Sequence, residues 1–314
     1  MNAPQTQKPF SEKSKAEKLK MEKSNAEKAT LIDYLKTWPL FLLPQHFLSS
    51  LIHSFTRIKH SGLKNFQINQ FIKLFNVNMS EAEQENSADF LDFNAFFTRQ
   101  LKAGVRVDKT SDNELCSPVD GAISELGDIV DEQLIQAKGH YFALSELLAG
   151  DQSLTDTFRN GKFATIYLSP RDYHRIHMPI DGSLQGMQHV PGQLFGVNNA
   201  SVKTIPRLFA RNERVITLFE TPAGPMALIL VGAIFVSSIE TTWQGVITPP
   251  RRKQVQRWQY QEQSKISKAQ EMGRFNMGST VVLLFAKDMI EWDKELQPNR
   301  PVQMGQFLGK INER

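Results

Sequence analysis

The feature that most constrains the fold is a change of pattern near Gly104. Before it, apolar and aromatic residues between 67 and 101 recur at spacings of three and four, which indicates helices. After it, apolar residues fall in short runs separated by Gly, Pro, Asp and Asn, as strands do. These runs are 121–123, 163–168, 215–219, 226–231, 233–236 and 280–285. We therefore predict an α+β fold, with a helical region over 31–103 and a mostly β catalytic body over 104–314.

Residues 251–270, which precede the last of these runs, are polar and rich in charge. We interpret them as a connection between strands. No internal repeat of useful length accompanies the pattern.

Residues 31–58 form an apolar and aromatic segment that two prolines interrupt. No run in it approaches the ~20 apolar residues that a membrane-spanning helix requires. The segment could instead lie in a membrane interface, with Trp38 and Tyr34 at the level of the headgroups and basic residues facing phosphates. Alternatively, the same side chains pack on the body of the protein.

The net charge of +4 is concentrated at the amino terminus, because residues 1–30 hold seven Lys and four Glu. These residues contain no apolar stretch typical of a secretory signal, so we expect a disordered polar leader. It is either a solvated tail or a weak contact to an anionic membrane. The rest of the chain is close to neutral, and we expect no nucleic-acid partner.

Cys116 is the only cysteine, so no intramolecular disulfide can form. Its neighbourhood lacks the spacing of metal ligands, and we interpret it as a small packed residue. A reducing compartment is expected.

Three local stretches carry the residue types of a catalytic site. The first, 117–121, places Asp120 in a tight turn, where Asp usually caps backbone amides. The second, 167–179, contains His174 and His177 among two Arg, two Tyr and one Asp. The histidines could be a metal-binding pair, although no carboxylate or cysteine cluster completes such a site. They could also be bases held in one tautomer by an acceptor, or surface residues without a role.

The third stretch, 271–285, contains Gly278-Ser279 directly before an apolar run. A glycine carbonyl is unhindered, and the strand that follows could hold the serine in place. Gly and Ser are also ordinary turn residues. The Gly-x-Ser-x-Gly motif of α/β-hydrolases is absent, so that type of serine nucleophile does not apply.

Together with 195–198, 209–214 and 231–236, these three stretches resemble the bacterial phosphatidylserine decarboxylases over nearly everything from residue 31 onward. Gly278-Ser279-Thr280 matches that family's self-cleavage site. Asp120 matches its turn acid, and His177 matches the second histidine of its Tyr-His-Arg-x-His loop. Met277 replaces the Leu that is common in the family, a change that preserves apolar volume.

The resemblance implies a self-processing proenzyme in which Asp120, His177 and Ser279 act as a triad. Ser279 attacks the Gly278 carbonyl, His177 takes the hydroxyl proton, and Asp120 orients the imidazole. The resulting ester eliminates, and hydrolysis leaves a pyruvoyl group on the former Ser279. Two chains result, a β chain of residues 1–278 and an α chain of residues 279–314. We expect them to form a heterodimer or a higher oligomer of such heterodimers.

The resemblance further implies a carboxy-lyase of phospholipid biosynthesis. Phosphatidylserine forms a Schiff base with the pyruvoyl group, loses CO2 and leaves as phosphatidylethanolamine, with no external cofactor or metal. His174 is the candidate for assisting decarboxylation and reprotonation. We expect a peripheral protein on the cytoplasmic face of the cell membrane, with the apolar segment 31–58 as its docking surface.

Two other classes of protein remain as alternatives. A serine hydrolase would use Ser279, His177 and Asp120 for turnover and would retain an intact Ser279 in the active protein. A noncatalytic membrane-binding protein would remain a single chain and release no CO2.

Overall fold

A computed structural model of the protein describes residues 29–137, 139–234, 238–248, 253–276 and 279–312. Most of the polar leader predicted for 1–30 and the residue Gly278 lie outside these described residues. The described α-helices, in chain order, are α1 (Leu31–Thr37), α2 (Gln45–Phe55), α3 (Ser61–Phe75), α4 (Phe93–Phe97), α5 (Leu144–Leu147), α6 (Gln152–Phe158), α7 (Asn199–Thr204) and α8 (Leu208–Arg211).

Strands dominate the chain beyond residue 113. In chain order they are β1 (Glu114–Cys116), β2 (Gly121–Asp128), β3 (Gln133–Ala137), β4 (His140–Ala143), β5 (Lys162–Leu168), β6 (Arg175–His177), β7 (Gly182–Val190), β8 (Arg214–Thr221), β9 (Gly224–Val231), β10 (Ile239–Thr241), β11 (Gly245–Thr248), β12 (Gln256–Ile266), β13 (Glu271–Phe275), β14 (Ser279–Phe285), β15 (Ile290–Trp292), β16 (Pro301–Val302) and β17 (Phe307–Ile311).

The main sheet in the described part of the chain has eight strands in the order β12-β7-β8-β9-β14-β5-β2-β16. Strand β14 lies inside this sheet and pairs antiparallel with both β9 and β5. All seven of its residues are buried, which accounts for its unbroken apolar sequence after the first two positions. The interior of the sheet therefore holds β14, and with it Ser279, in a fixed register.

A smaller four-stranded sheet, in the order β11-β10-β13-β6, brings the second and third sequence motifs together. Strand β6 lies within the stretch 167–179 that contains both histidines. Strand β13 pairs with β6 and leads into the Gly278-Ser279 stretch. A three-stranded sheet in the order β1-β17-β15 and the β3-β4 hairpin complete the described sheets.

The amino-terminal helical region has an aromatic cluster of its own. Phe90, Phe93, Phe96 and Phe97 pack with Ile68 of α3, and this cluster is separate from the main core. Helices α1 and α2 attach to the body through hydrogen bonds, among them Thr204 Oγ1 to Thr37 Oγ1 at 2.9 Å. Within the part of the chain that the structure describes, no helix has both the length and the apolar character needed to cross a membrane.

The α+β class predicted from the sequence is confirmed. Helix is less continuous than predicted over 67–101, because α3 ends at Phe75 and the next residue, Asn76, adopts a left-handed conformation with φ of 53°. The helix resumes only as a short turn at Ser87–Asp89 and as α4. The division into regions 1–30, 31–103 and 104–314 stays a prediction.

The interpretation of 251–270 as a connection was wrong over most of its length. It contains β12, an edge strand that pairs with β7 alone and can therefore carry polar side chains. The predicted strand at 233–236 was wrong at Ala233 and Ile234, which belong to no strand. Its other two residues lie outside the described part of the chain.

Candidate active site

Backbone hydrogen bonds join the three motifs that the sequence analysis singled out. The amide of His177 donates to the carbonyl of Pro118 at 2.8 Å, which connects the histidine loop to the Asp120 turn. The amide of Phe275 donates to the carbonyl of His174 at 3.1 Å, which connects the same loop to the stretch that precedes Ser279. Segments far apart in the sequence are thus held in one place by the backbone itself.

Ser279 is fully buried at the first position of β14, where it pairs with Leu168 of β5. Its neighbour Thr280 pairs with Tyr167, which in turn pairs with Ala122, two residues after Asp120. Adjacent strands lie about 4.8 Å apart, so the Asp120 turn is roughly 10 Å from the start of β14. The Ser279 hydroxyl has no hydrogen-bond partner among the described residues.

The imidazole of His177 is held at both ring nitrogens. Nδ1 lies 2.7 Å from the carbonyl oxygen of Ala269, which can only accept, so Nδ1 carries the proton. Nε2 lies 3.1 Å from the Tyr173 hydroxyl, and burial raises the pKa of Tyr173 to about 12, so the phenol is the donor. Burial also lowers the pKa of His177. The ring is therefore a neutral base with its lone pair at Nε2.

His174 is completely buried and has a different environment. Its Nδ1 lies 2.8 Å from the carbonyl oxygen of Asp172, and its ring packs on Phe97 with centroids 4.1 Å apart. Burial lowers the pKa of His174 to about 3. Nε2 has no partner among the described residues, so a second neutral imidazole presents an unused lone pair.

Asp120 pairs with an arginine instead of a histidine. Arg106 Nε donates to both carboxylate oxygens at 2.9 and 3.0 Å, and the amide of Met304 donates to Oδ1 at 2.8 Å. Arg106 also pairs with Glu81 at 3.0 Å. The Nδ1 of His177 is held in its tautomer by the Ala269 carbonyl, and the orienting role expected for Asp120 stays a prediction.

The turn that contains Asp120 depends on a close approach of two strands. A Cβ placed on Gly121 would lie 2.4 Å from the carbonyl oxygen of Tyr167, so only glycine fits at this position. Gly121 therefore fixes Asp120 directly before the start of β2, beside the loop that follows β5.

A cavity of about 660 Å³ opens beside the Asp120 turn. Its lining includes Asp120, Arg99, Arg106, Asp172 and Tyr173. A second cavity of about 250 Å³ is lined by His177 and Ala269 and shares Arg106 and Tyr173 with the first. Arg106 and Tyr173, together with Leu101, therefore line both cavities.

The structure brings Asp120, His174 and His177 to one region next to the start of β14. The hydrogen bonds of an Asp120–His177–Ser279 triad are not formed in it, and the roles of these residues stay predictions. Sequence reasoning missed Arg99, Arg106 and the Ala269 carbonyl. Single arginines give no spacing signal, and a carbonyl gives no sequence signal at all.

Comparison with known proteins identifies the family. The family model described as phosphatidylserine decarboxylase matches residues 93–310, and a second model, described as PSD, matches residues 35–76. The phosphatidylserine decarboxylase proenzyme of Nitrosococcus oceani is 52% identical over 283 residues, which cover 90% of this chain and 92% of that protein.

Two further relatives carry the same name. The proenzyme of Methylococcus capsulatus is 51% identical over 270 residues, covering 86% of this chain and 94% of that protein. The proenzyme of Vibrio parahaemolyticus is 48% identical over 278 residues, covering 87% of this chain and 98% of that protein. The match spans both the helical region and the strands that surround Ser279, and the chain accordingly belongs to the phosphatidylserine decarboxylase family of carboxy-lyases.

Proposed function

We propose that this chain converts phosphatidylserine to phosphatidylethanolamine, using a pyruvoyl group that it makes from Ser279 by cutting its own chain after Gly278. The family and the names of the relatives support a decarboxylase that is made as a proenzyme. The buried position of Ser279 and the pairing of its strand with β5 and β9 support this serine as the source of the pyruvoyl group.

The observation that carries this proposal is the buried Ser279 hydroxyl without a hydrogen-bond partner among the described residues. A buried hydroxyl that lacks a partner costs about 1–3 kcal/mol, and a catalytic role is one reason for such a group to be retained. Ser279 also begins a strand paired on both sides, which would fix a group formed there. The position therefore fits a prosthetic group built from the chain itself.

Self-cleavage requires a base for the hydroxyl proton. In the proposed reaction Ser279 Oγ attacks the Gly278 carbonyl carbon, and the amide becomes an ester with a free amino group on residue 279. Loss of a proton from Cα then expels the carboxylate of Gly278 and leaves dehydroalanine, which water converts to pyruvoyl and ammonia. His177 is the proposed base, because Nε2 is unprotonated and its hydrogen-bond partner among the described residues is the Tyr173 hydroxyl. Asp120 would stabilise the imidazolium by its charge, which already acts on the His177 ring.

The pyruvoyl group supplies an electron-withdrawing carbonyl that accepts the electron pair left on the substrate when CO2 departs. The chain's own task is to bind the headgroup, exclude water and move a proton. We assign proton transfer at the substrate Cα to His174, whose buried Nε2 is free of partners in the described residues. Its pKa, lowered to about 3 by burial, would rise beside the anionic groups of a bound substrate.

We further propose that the protein docks peripherally on the cytoplasmic face of the cell membrane. Large apolar side chains of the amino-terminal segment are exposed. They are therefore available for burial against lipid. They include Leu31, Ile32, Leu35, Trp38, Leu42, Phe47 and Leu51. Some of this segment packs on the body, since Phe41 contacts Phe195 with ring centroids 4.9 Å apart. The packing alternative thus holds for Phe41, and the exposed side chains of the segment support the proposed docking surface.

Mass spectrometry of the purified protein tests the proposed chemistry directly. The expected result is two chains, 1–278 and 279–314, with the shorter one blocked by a ketoamide in place of its amino terminus. Ser279→Ala should leave one chain of 314 residues that releases no CO2 from phosphatidylserine. An active protein with an intact Ser279 would support a serine hydrolase instead, and normal cleavage of Ser279→Ala would overturn the scheme.

A further inference from the structure

Arg99 is a buried cation whose guanidinium is largely without partners. The residue is 5% exposed and follows α4 directly. Nη2 donates to the carbonyl oxygen of Arg171 at 3.0 Å, whereas Nε and Nη1 are buried without a hydrogen-bond partner in the described part of the chain. Its remaining support is the ring of Phe96, whose centroid lies 5.6 Å from the guanidinium carbon.

A second buried arginine shows how this protein satisfies such a group when it is only structural. Arg214 is 2% exposed, and each of its three nitrogens donates to backbone carbonyls. Nε donates to Leu147, Nη1 to Ala210 and Asn212, and Nη2 to Glu146, at 2.7 to 3.1 Å. Burying a cation without hydrogen bonds is costly, so the two unused donors of Arg99 call for a ligand.

The place of Arg99 indicates which ligand it meets. Arg99 lines the 660 Å³ cavity together with Asp120 and Tyr173. Its charge also acts on the buried ring of His174, and the neighbouring carbonyl of Thr98 accepts from Arg175 Nε of the histidine loop at 3.0 Å. Arg99 therefore lies at the boundary between the cavity and the proposed reaction site.

The other cations of this cavity have acidic neighbours. Arg106 pairs with both Asp120 and Glu81, and Arg171, which is exposed, lies 4.0 Å from Asp172. Arg99 forms no ion pair with a described residue. Among the described cavity residues it is thus the cation available to a bound anion.

We propose that Arg99 binds the phosphodiester of the substrate headgroup. This inference rests on the proposed function, since it takes phosphatidylserine as the substrate. That headgroup carries two anions, a carboxylate and a phosphodiester. A cation paired with the carboxylate would stabilise the ground state more than the transition state, because the carboxylate charge is lost as CO2 forms. Such a pairing would raise the activation barrier of decarboxylation. The phosphodiester keeps its charge throughout the reaction and lies three covalent bonds from the carbon that loses CO2.

The product separates the two anions, because phosphatidylethanolamine has the phosphodiester and lacks the carboxylate. We would measure the dissociation constant of dicaproyl-phosphatidylethanolamine for the cleaved enzyme by calorimetry, and KM and kcat for dicaproyl-phosphatidylserine. Arg99→Gln should weaken product binding and raise KM by about tenfold or more, the effect of losing a charge-assisted hydrogen bond, with a smaller change in kcat. Arg99→Lys keeps the charge but loses the planar guanidinium donors. Its dissociation constant for the product and its KM should lie between those of the wild type and Arg99→Gln.

Arg171→Gln is the matched control, because it removes an exposed cation of the same cavity while keeping the carbonyl that Arg99 contacts. It should change product binding less than threefold. A raised KM with unchanged product binding would assign Arg99 to the carboxylate and overturn the proposal, as would unchanged values of both. If Arg99→Gln does not cleave, the same comparison is made with Arg99→Lys. Wild-type protein without a 36-residue α chain would contradict the proposed function itself, independently of the Arg99 results.

Discussion

At the scale of single residues, the two histidines differ in what their Nε2 atoms contact. Nε2 of His177 accepts from Tyr173, whereas Nε2 of His174 is buried without a partner among the described residues. Both rings have their Nδ1 on a backbone carbonyl, so both are neutral bases of the same tautomer. The proposed division of labour would therefore depend on where each lone pair lies, because the two rings have the same tautomer.

We expect His174→Ala to separate cleavage from turnover. The variant should still produce the 36-residue α chain, because self-cleavage needs a base only at Ser279, and it should turn over phosphatidylserine about 100-fold or more slowly. Gel electrophoresis measures the first step and CO2 release from carboxyl-labelled substrate the second. His177→Ala is the matched variant and should accumulate uncut chain. If His174→Ala failed to cleave while His177→Ala cleaved normally, the two assignments would have to be exchanged.

Burial of His174 also predicts how the uncut protein responds to acid. Its pKa is lowered from 6.5 to about 3 by burial, so the unfolded chain takes up the proton first as the pH falls. The contribution of the neutral ring to stability is complete above about pH 6.5 and is lost progressively between 6.5 and 3. Replacing His174 by Phe should therefore reduce the loss of stability across this window.

Urea denaturation at several pH values measures this effect. Ser279→Ala provides an uncut background, and the comparison is between this variant with and without His174→Phe. Equal dependence of the free energy of unfolding on pH in the two proteins would show that His174 is not held neutral by the fold.

The residues of the site were predictable to the extent that their chemistry depends on side chains close in the sequence. Backbone hydrogen bonds place the loop of His174 and His177 beside the Asp120 turn, and the roles that the resemblance implies for these residues stay predictions. Their partners gave no such signal, because Arg106 and the Ala269 carbonyl lie outside the three motifs and outside any strand, whereas Tyr173 belongs to the same loop as His177. Contacts between residues far apart in the chain are set by the register of the sheets, which no local pattern encodes.

At the scale of elements, the apolar runs predicted the interior strands well and the edge strand badly. Strands β5, β8, β9 and β14 are buried on most of their length, so their sequences are continuous apolar runs. Strand β12 pairs on one side only and exposes polar residues, so composition alone indicated a loop. The short strands β15, β16 and β17 follow β14 and were also missed, because two to five residues give too little periodicity.

The exposed apolar helices predict membrane binding by the segment 31–58. Trp38 and Leu42 are 66% and 71% exposed, so replacing both by Lys should leave the fold intact. Liposome binding should weaken by roughly tenfold or more, because burying one such side chain is worth about 1.5–3 kcal/mol. Sedimentation with liposomes measures binding, and thermal unfolding checks the fold.

Val246→Lys is the control for this experiment, since Val246 is a 49% exposed apolar residue of strand β11 on the body. It should bind liposomes as the wild type does. Unchanged sedimentation of the Trp38 and Leu42 variant would exclude these side chains from the docking surface.

At the scale of the whole molecule, the chain that the proposed cut separates is built into the fold and cannot dissociate without disrupting it. Residues 279–314 contain β14 and the strands β15, β16 and β17, which belong to two different sheets. Strand β14 pairs with β9 from Thr280 to Phe285 and with β5 from Ser279 to Phe285. Removing it would open the main sheet in its interior and expose the most buried part of the core.

We therefore expect the two chains of the cleaved protein to behave as one folded unit. They should elute together in size-exclusion chromatography without denaturant and separate only on a denaturing gel. Hydrogen exchange adds a readout for the same prediction, because amides of β14 that are paired to β5 and β9 should exchange only through global unfolding. Amides of β12, paired on one side at the edge of the same sheet, should exchange faster and serve as the internal comparison. Release of residues 279–314 under native conditions would mean that cleavage rearranges the sheet, since a strand with two ladders of hydrogen bonds cannot leave an otherwise unchanged core.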